Sequence, residues 1–261
     1  MGKHLFRKLS MVLLCGVLIT LCLSLSVHAE TPSSDKWEFT LAPYLWLAGQ
    51  KGKVATTPPL PPVDIDVDFY DDILGNINGA LMLVGEARKG RYGMIMDIIY
   101  TDIEFEESTP GPIFSSVSSQ TKSWIVSAAG LYRLTDMEKG SLDILGGLRY
   151  WSVESKLSLG AGLRPAQQVT NKEEWFDPFI GIRGLSQLGQ SKFYTSGAFL
   201  LGGFGVGSDL MWDASINLGY QWTKGFSTTI GYRYLDVDYE KDAFLYDIAQ
   251  DGMTIGLFWR F

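Results

Sequence analysis

The last nine residues, 253–261, leave the chain little freedom. Counted back from the terminus, Phe261, Trp259, Leu257, Ile255 and Met253 are large and apolar, while Arg260, Gly256 and Thr254 fall between them. Phe258 is the one large apolar residue on the other side. A period of two puts one set on each face of a strand. Similar alternation runs through residues 37–49, 79–88, 92–105, 120–133, 141–157, 174–185, 193–206, 210–222, 226–239 and 252–261. The sequence therefore predicts an all-β fold of about ten strands, with eight to twelve compatible with the pattern. Pro43 and Pro178 mark weak points within two of them. After residue 29 no apolar run reaches the length of a spanning helix. If the apolar faces lie in lipid, the sheet must close on itself so that every backbone group is paired.

The first 29 residues differ in character. Lys3, His4, Arg7 and Lys8 precede an apolar run over residues 11–27, and Val27-His28-Ala29 suits a signal peptidase. Residues 1–29 read as a helical, cleavable signal peptide, residues 30–36 as a short polar lead-in and residues 37–261 as the barrel. The alternative is an uncleaved anchor. Both cysteines, Cys15 and Cys22, and both histidines, His4 and His28, leave with the signal. What remains has no thiol for a disulfide, a redox step or a metal site. The signal also removes three of the 22 basic residues and no acidic ones, leaving a net charge of −10. That balance argues against nucleic acid as a partner.

Glycine-bearing turns at residues 88–91, 135–140, 188–191 and 223–225 alternate with longer gaps at 51–78, 107–119, 158–173 and 240–251. Residues 207–209 form a tight connection where a long one is due. Short turns on one rim and longer loops on the other characterise up-and-down membrane barrels, and an even strand count returns both ends to one rim. In the first gap, residues 63–69 alternate apolar and acidic side chains. The Asp64, Asp66, Asp68 spacing evokes a calcium loop, but Phe69 stands where the turn glycine belongs and Gly75 where the bidentate Glu belongs. Strand pairing above the barrel is the better reading.

Aromatic spacing supports a membrane. Tyr92 and Tyr100, Trp124 and Tyr132, Trp212 and Tyr220, and Phe226 and Tyr234 are each eight residues apart on one face. Eight residues on a tilted strand rise about 20 Å, close to the roughly 25 Å apolar band between aromatic girdles. With these rings facing lipid, the same alternation sends Glu86, Asp97, Arg149, Asp177, Arg183, Asp213 and Arg233 inward, where they are expected to pair. Tyr44, Trp46 and Trp151 also point inward, and inward glycines such as Gly219 make room. The predicted lumen is plugged by paired charges; the alternative is a narrow ion or solute path.

The terminal pattern Leu257, Trp259, Phe261 resembles the C-terminal assembly signal of Gram-negative outer-membrane β-barrel proteins. The segments at residues 86–93, 175–183 and 231–239 resemble recurring phrases of the small eight-to-twelve-stranded barrels. The resemblance implies a closed antiparallel up-and-down transmembrane β-barrel in the outer membrane, with both termini periplasmic. It also implies periplasmic chaperones and the barrel-assembly machinery as partners during insertion, and lipid and lipopolysaccharide as surroundings. Many such barrels have no assigned activity. Enzymes of this size in that membrane mostly rely on a histidine base, and the exported chain has none. Asp236 and Asp238, or the Asp64 to Asp72 group, are the only concentrated acids for a two-carboxylate site and read as solvated loop charges. No catalytic, cofactor or metal residue is assigned. Recognition through acidic outer loops, with divalent ions bridging to lipopolysaccharide, is a further expectation.

Overall fold

The computed structural model describes residues 36–56, 61–108, 111 and 113–261. Residues 1–29, expected as a signal peptide, most of the expected lead-in with Pro32, and the loop prolines Pro58, Pro59, Pro110 and Pro112 lie outside them. The described chain forms β1 (Trp37–Ala55), β2 (Val63–Val67), β3 (Ile77–Lys89), β4 (Tyr92–Ser108), β5 (Phe114–Met137), β6 (Gly140–Ala161), β7 (Gln167–Gln187), β8 (Phe193–Gly202), β9 (Leu210–Thr223), β10 (Phe226–Lys241) and β11 (Phe244–Arg260). From β3 to β11 each strand pairs antiparallel with the next, and β1 closes the ring by pairing with both β11 and β3. Ten strands make the wall, as the alternation predicts. The eleventh, β2, pairs only with the far half of β1, from Gln50↔Val67 to Val54↔Val63.

The strands run further toward the loop rim than their apolar alternation suggests. β11 begins at Phe244, so residues 244–251, expected as loop, are strand. Phe244, Tyr246, Ile248 and Gln250 are buried inside the barrel while Asp247 and Asp251 face out. The gap expected over residues 240–251 shrinks to a tight turn at Asp242, whose φ is 54°. β6 and β7 likewise continue to Ala161 and from Gln167, paired through mostly polar residues. Backbone pairing carries them where side-chain hydrophobicity no longer does. β8 is the reverse: it stops at Gly202 instead of residue 206, because Gly203, Phe204 and Gly205 all take positive φ and cannot continue a ladder.

Both prolines sit at ladder ends. Pro178 lies just past the last β7–β8 pair, Phe179↔Gly202. Pro43 is the last residue of β1 to pair with β3, at Pro43↔Leu83. Beyond it the wall is completed by a helical turn, Phe69–Ile73, whose N-terminal amides on Tyr70 and Asp71 donate to the Asp68 carboxylate at 2.8 and 3.3 Å. Phe69 and Ile73 are buried with Ile103 against Leu47, Val67, Ile77 and Phe105. The Trp46 amide, in this unladdered stretch, donates to the Met82 sulfur at 3.1 Å. The acidic alternation of residues 63–69 is thus a flap strand and a cap, with Lys51 and Lys53 beside Asp66 and Asp64.

The faces follow the parity of the sequence. Leu41, Leu45, Leu148, Ile180, Ile216 and Ile255 are exposed on the outer wall, while the largest buried side chains fill the lumen. Phe69→Ala is expected to cost about 3 kcal/mol, as other buried Phe truncations do. It should also open residues 63–77 to protease while the ring stays intact; urea unfolding in lipid vesicles and limited proteolysis check both.

Candidate functional site

The outer surface carries two levels of aromatic side chains. Tyr92 faces its cross-strand partner Tyr132 with ring centroids 5.3 Å apart, and eight residues further along, Tyr100 faces Trp124 at 4.5 Å. On the other side of the wall, Trp212 stacks on Tyr234 at 4.5 Å, while Tyr220 meets Phe193 at 4.9 Å and Phe226 meets Trp259 at 5.2 Å. Tyr92 with Tyr132, Tyr100 with Trp124 and Trp212 with Tyr234 thus join laterally, while Tyr220 and Phe226 each meet an aromatic outside the spaced set. Trp212 differs in being covered: packed between Phe199 and Tyr234, it is only 9% exposed. At the terminus, Phe261 and Phe39 exchange two backbone hydrogen bonds and stack their rings, so Leu257, Trp259 and Phe261 sit on the strand that closes the ring.

Inside, charges bond across the lumen. Arg149 on β6 donates to Asp213 on β9 at 2.7 Å and to Ser127 at 2.8 Å. Arg233 on β10 grips the same Asp213 at 2.8 and 3.1 Å and reaches Asp97 on β4 at 3.0 Å. Tyr44 on β1 accepts from Arg233 at 3.0 Å and donates to Asp97 at 2.7 Å. The guanidinium of Arg149, fully buried, also lies 5.8 Å from the rings of Trp151 and Phe179.

A second cluster lies nearer the turn rim. Arg183 on β7 takes Glu86 on β3 at 2.7 and 3.2 Å, and Asp143 at 2.8 Å. Asp143 also accepts from Arg88 at 2.7 Å and Arg133 at 2.6 Å. Arg88, Arg133 and Asp143 were not among the expected charges, although parity identifies them: Arg88 shares a face with Glu86, and Asp143 with Arg149. Nearness to the turns disguised them as rim residues.

Asp177 departs from the expectation. It is Arg149's register partner, yet Arg149 reaches over the lumen to Asp213 instead. Asp177 accepts from the Ser208 amide and hydroxyl, both at 2.7 Å, and from the Trp175 indole at 3.3 Å. Because β8 stops early, the tight β8–β9 loop folds against β7 and its amide needs an acceptor there. At Gly207 a Cβ would lie 2.7 Å from the Asp177 carboxylate and 2.5 Å from a backbone oxygen, so the approach is possible only without a side chain. The Ser208–Asp177 pair is buried and ties the β8–β9 loop to β7 as a clamp.

These layers divide the lumen in two. On the turn side, a chamber of about 620 Å³ reaches from the turns up to Tyr44, Arg149, Phe179, Asp213 and Arg233. Phe258, the apolar outlier of the terminal strand, lines it. Gly219 makes room as parity suggests: the ring of Tyr194 occupies the space its Cβ would need. On the loop side the space is filled by a continuous cluster including Trp46, Trp151, Trp175, Leu235, Tyr239 and Tyr246. Trp175 stacks on Tyr239 at 3.9 Å and on Trp151 at 5.5 Å. Among the described residues no group of three or more His, Cys, Asp or Glu is arranged to hold a metal ion.

Asp213→Ala would leave the buried Arg149 without a carboxylate and take one of two from Arg233, and is expected to destabilise the barrel by about 3–5 kcal/mol. Asp213→Asn should cost less, because its carbonyl still accepts. Urea unfolding of both variants in lipid vesicles checks the order.

No protein-family model matches the chain, and no curated protein sequence matches it. Among solved structures, Ail, the attachment invasion locus protein of Yersinia pestis, is 13% identical with a TM-score of 0.37, covering 87% of this chain and 99% of that one. Neisserial surface protein A (NspA) is 11% identical with a TM-score of 0.35, covering 86% and 97%. The translocator domain of the autotransporter NalP from Neisseria meningitidis is 10% identical with a TM-score of 0.36, covering 99% and 98%.

Proposed function

We propose that this chain is an integral outer-membrane β-barrel protein with a structural or passive role, its lumen closed to through-passage. The observation that carries this reading is the Arg149–Asp213–Arg233–Asp97 chain strung across the lumen under an aromatic fill. Buried charges in a wet ion path need partners that they can exchange. Here each guanidinium is held by carboxylates and packed against rings, which suits a filled interior. The outside supports the membrane assignment: an apolar wall between two aromatic levels leaves an isolated barrel with a large greasy belt that lipid would cover.

In this reading the turn rim, with Trp37 and Phe261, faces the periplasm and the loop rim faces outward. The terminal strand that pairs Phe261 with Phe39 is the one the assembly machinery would receive last, with periplasmic chaperones handling the exported chain before that. Exposed acids at the loop rim, among them Asp64, Asp66, Asp71, Glu106 and Glu107, suit divalent ions that bridge to lipopolysaccharide. That favours surface contact as a second role.

The protein should fractionate with outer membranes, migrate differently on gels before and after heating, and give no stepwise current in planar bilayers at any salt concentration. Discrete conductance steps from the unaltered protein would replace the closed-lumen reading with that of a channel. Recovery of a soluble periplasmic product would end both.

A further inference from the structure

The mouth of the chamber is unlike its interior. Deeper in, Arg88, Arg133, Arg149, Arg183 and Arg233 all have carboxylate partners. At the turn rim, Lys192 from the β7–β8 turn, Lys224 from the β9–β10 turn and Arg260 at the end of β11 line one crevice, together with Gln221, Trp222 and Thr223. No carboxylate of the described residues lines that crevice or pairs with any of the three. The rim acids Glu38, Asp136 and Glu138 line the chamber but not the crevice, and Asp136 is taken by Arg133.

The main chain holds the three positions together. The Gln221 amide donates to the Lys192 carbonyl at 2.8 Å, joining the end of β9 to the β7–β8 turn, and the Arg260 amide donates to the Gly225 carbonyl at 2.8 Å, joining β11 to the β9–β10 turn. The Gln221 side-chain amide donates to the Thr223 and Lys224 carbonyls at 3.0 and 3.3 Å and braces the turn. Three cations, none of them in an ion pair among the described residues, thus line one crevice on a hydrogen-bonded frame at the mouth of the chamber.

We propose that this crevice binds a phosphoryl group: Lys192, Lys224 and Arg260 together take the dianion of a small soluble phosphate monoester, whose organic part extends into the chamber. Two ammonium point charges and one planar fork match the two charges and three free oxygens of a monoester better than the single charge of a carboxylate. The chamber's volume of about 620 Å³ sets the upper size of the organic part. The site requires only an open turn rim, so it goes beyond the closed-lumen reading and does not depend on the conductance result.

The test is an NMR titration of the full exported chain, refolded in uncharged maltoside micelles, with inorganic phosphate and then glycerol phosphate. Saturable shifts at the amides of Lys192, Lys224, Gly225 and Arg260, with the loop rim unmoved, are expected. Lys192→Gln with Lys224→Gln lies in turns and leaves the strands untouched. The double variant should keep the barrel spectrum and bind about tenfold more weakly or worse, as loss of two charge-assisted contacts implies. Shifts that never saturate, or that are equal in the double variant, would overturn the proposal. So would a response to phosphatidylglycerol nanodiscs, compared with phosphatidylcholine ones, without any response to soluble phosphate, since that would assign the crevice to a lipid headgroup.

Discussion

Backbone hydrogen bonding is the constraint from which the rest of the molecule follows. A sheet whose outer face is apolar cannot leave an edge of unpaired amides and carbonyls, and β1 removes both edges by serving β11 and β3 at once. That double duty ends at Pro43 on the β3 side. From there on, a capped helical turn and a flap strand take over what a ladder would have done. The wall is therefore continuous in packing even where it is interrupted in hydrogen bonding.

Closure then dictates the interior. A ten-strand ring encloses more space than one layer of side chains can fill, and this chain fills it unevenly. Large aromatics occupy the loop half, while two charge clusters brace the turn half around a chamber. The braces run across the barrel: β6 to β9, β10 to β4 and β7 to β3. Each ties walls that the ladder does not join directly, so the clusters resist flattening as well as satisfying their own charges. Arginine suits this task because its planar fork can hold two acceptors on different strands.

Much of this architecture was legible in the chain itself. Alternation gave the ten wall strands and their faces, whereas the lateral ring pairs, such as Tyr100 with Trp124, depend on the register of neighbouring strands. Residues 244–251 were harder to read. Their acids looked like loop, although Phe244, Tyr246 and Ile248 keep the strand period. Arg88, Arg133 and Asp143 were hidden by their nearness to turns. Asp177 faces inward as its parity implies but holds Ser208 instead of an arginine, because its use is decided by a loop on the neighbouring hairpin.

The amino-acid order alone determined which side chains share the outer face and which share the lumen, since a period of two admits only two directions and buried charge needs partners that only the enclosed side offers. It also placed both cysteines and both histidines within the first 29 residues, so that the barrel strands carry neither thiol nor imidazole. Only the closed tertiary structure decided which lumenal charges meet. Arg149 has Asp177 as its register partner, but the Ser208 loop occupies that carboxylate and Arg149 crosses the lumen to Asp213. The consecutive pairing of β8 to β11 brought Lys192, Lys224 and Arg260 to one crevice, although four strands lie between the first and the last in sequence.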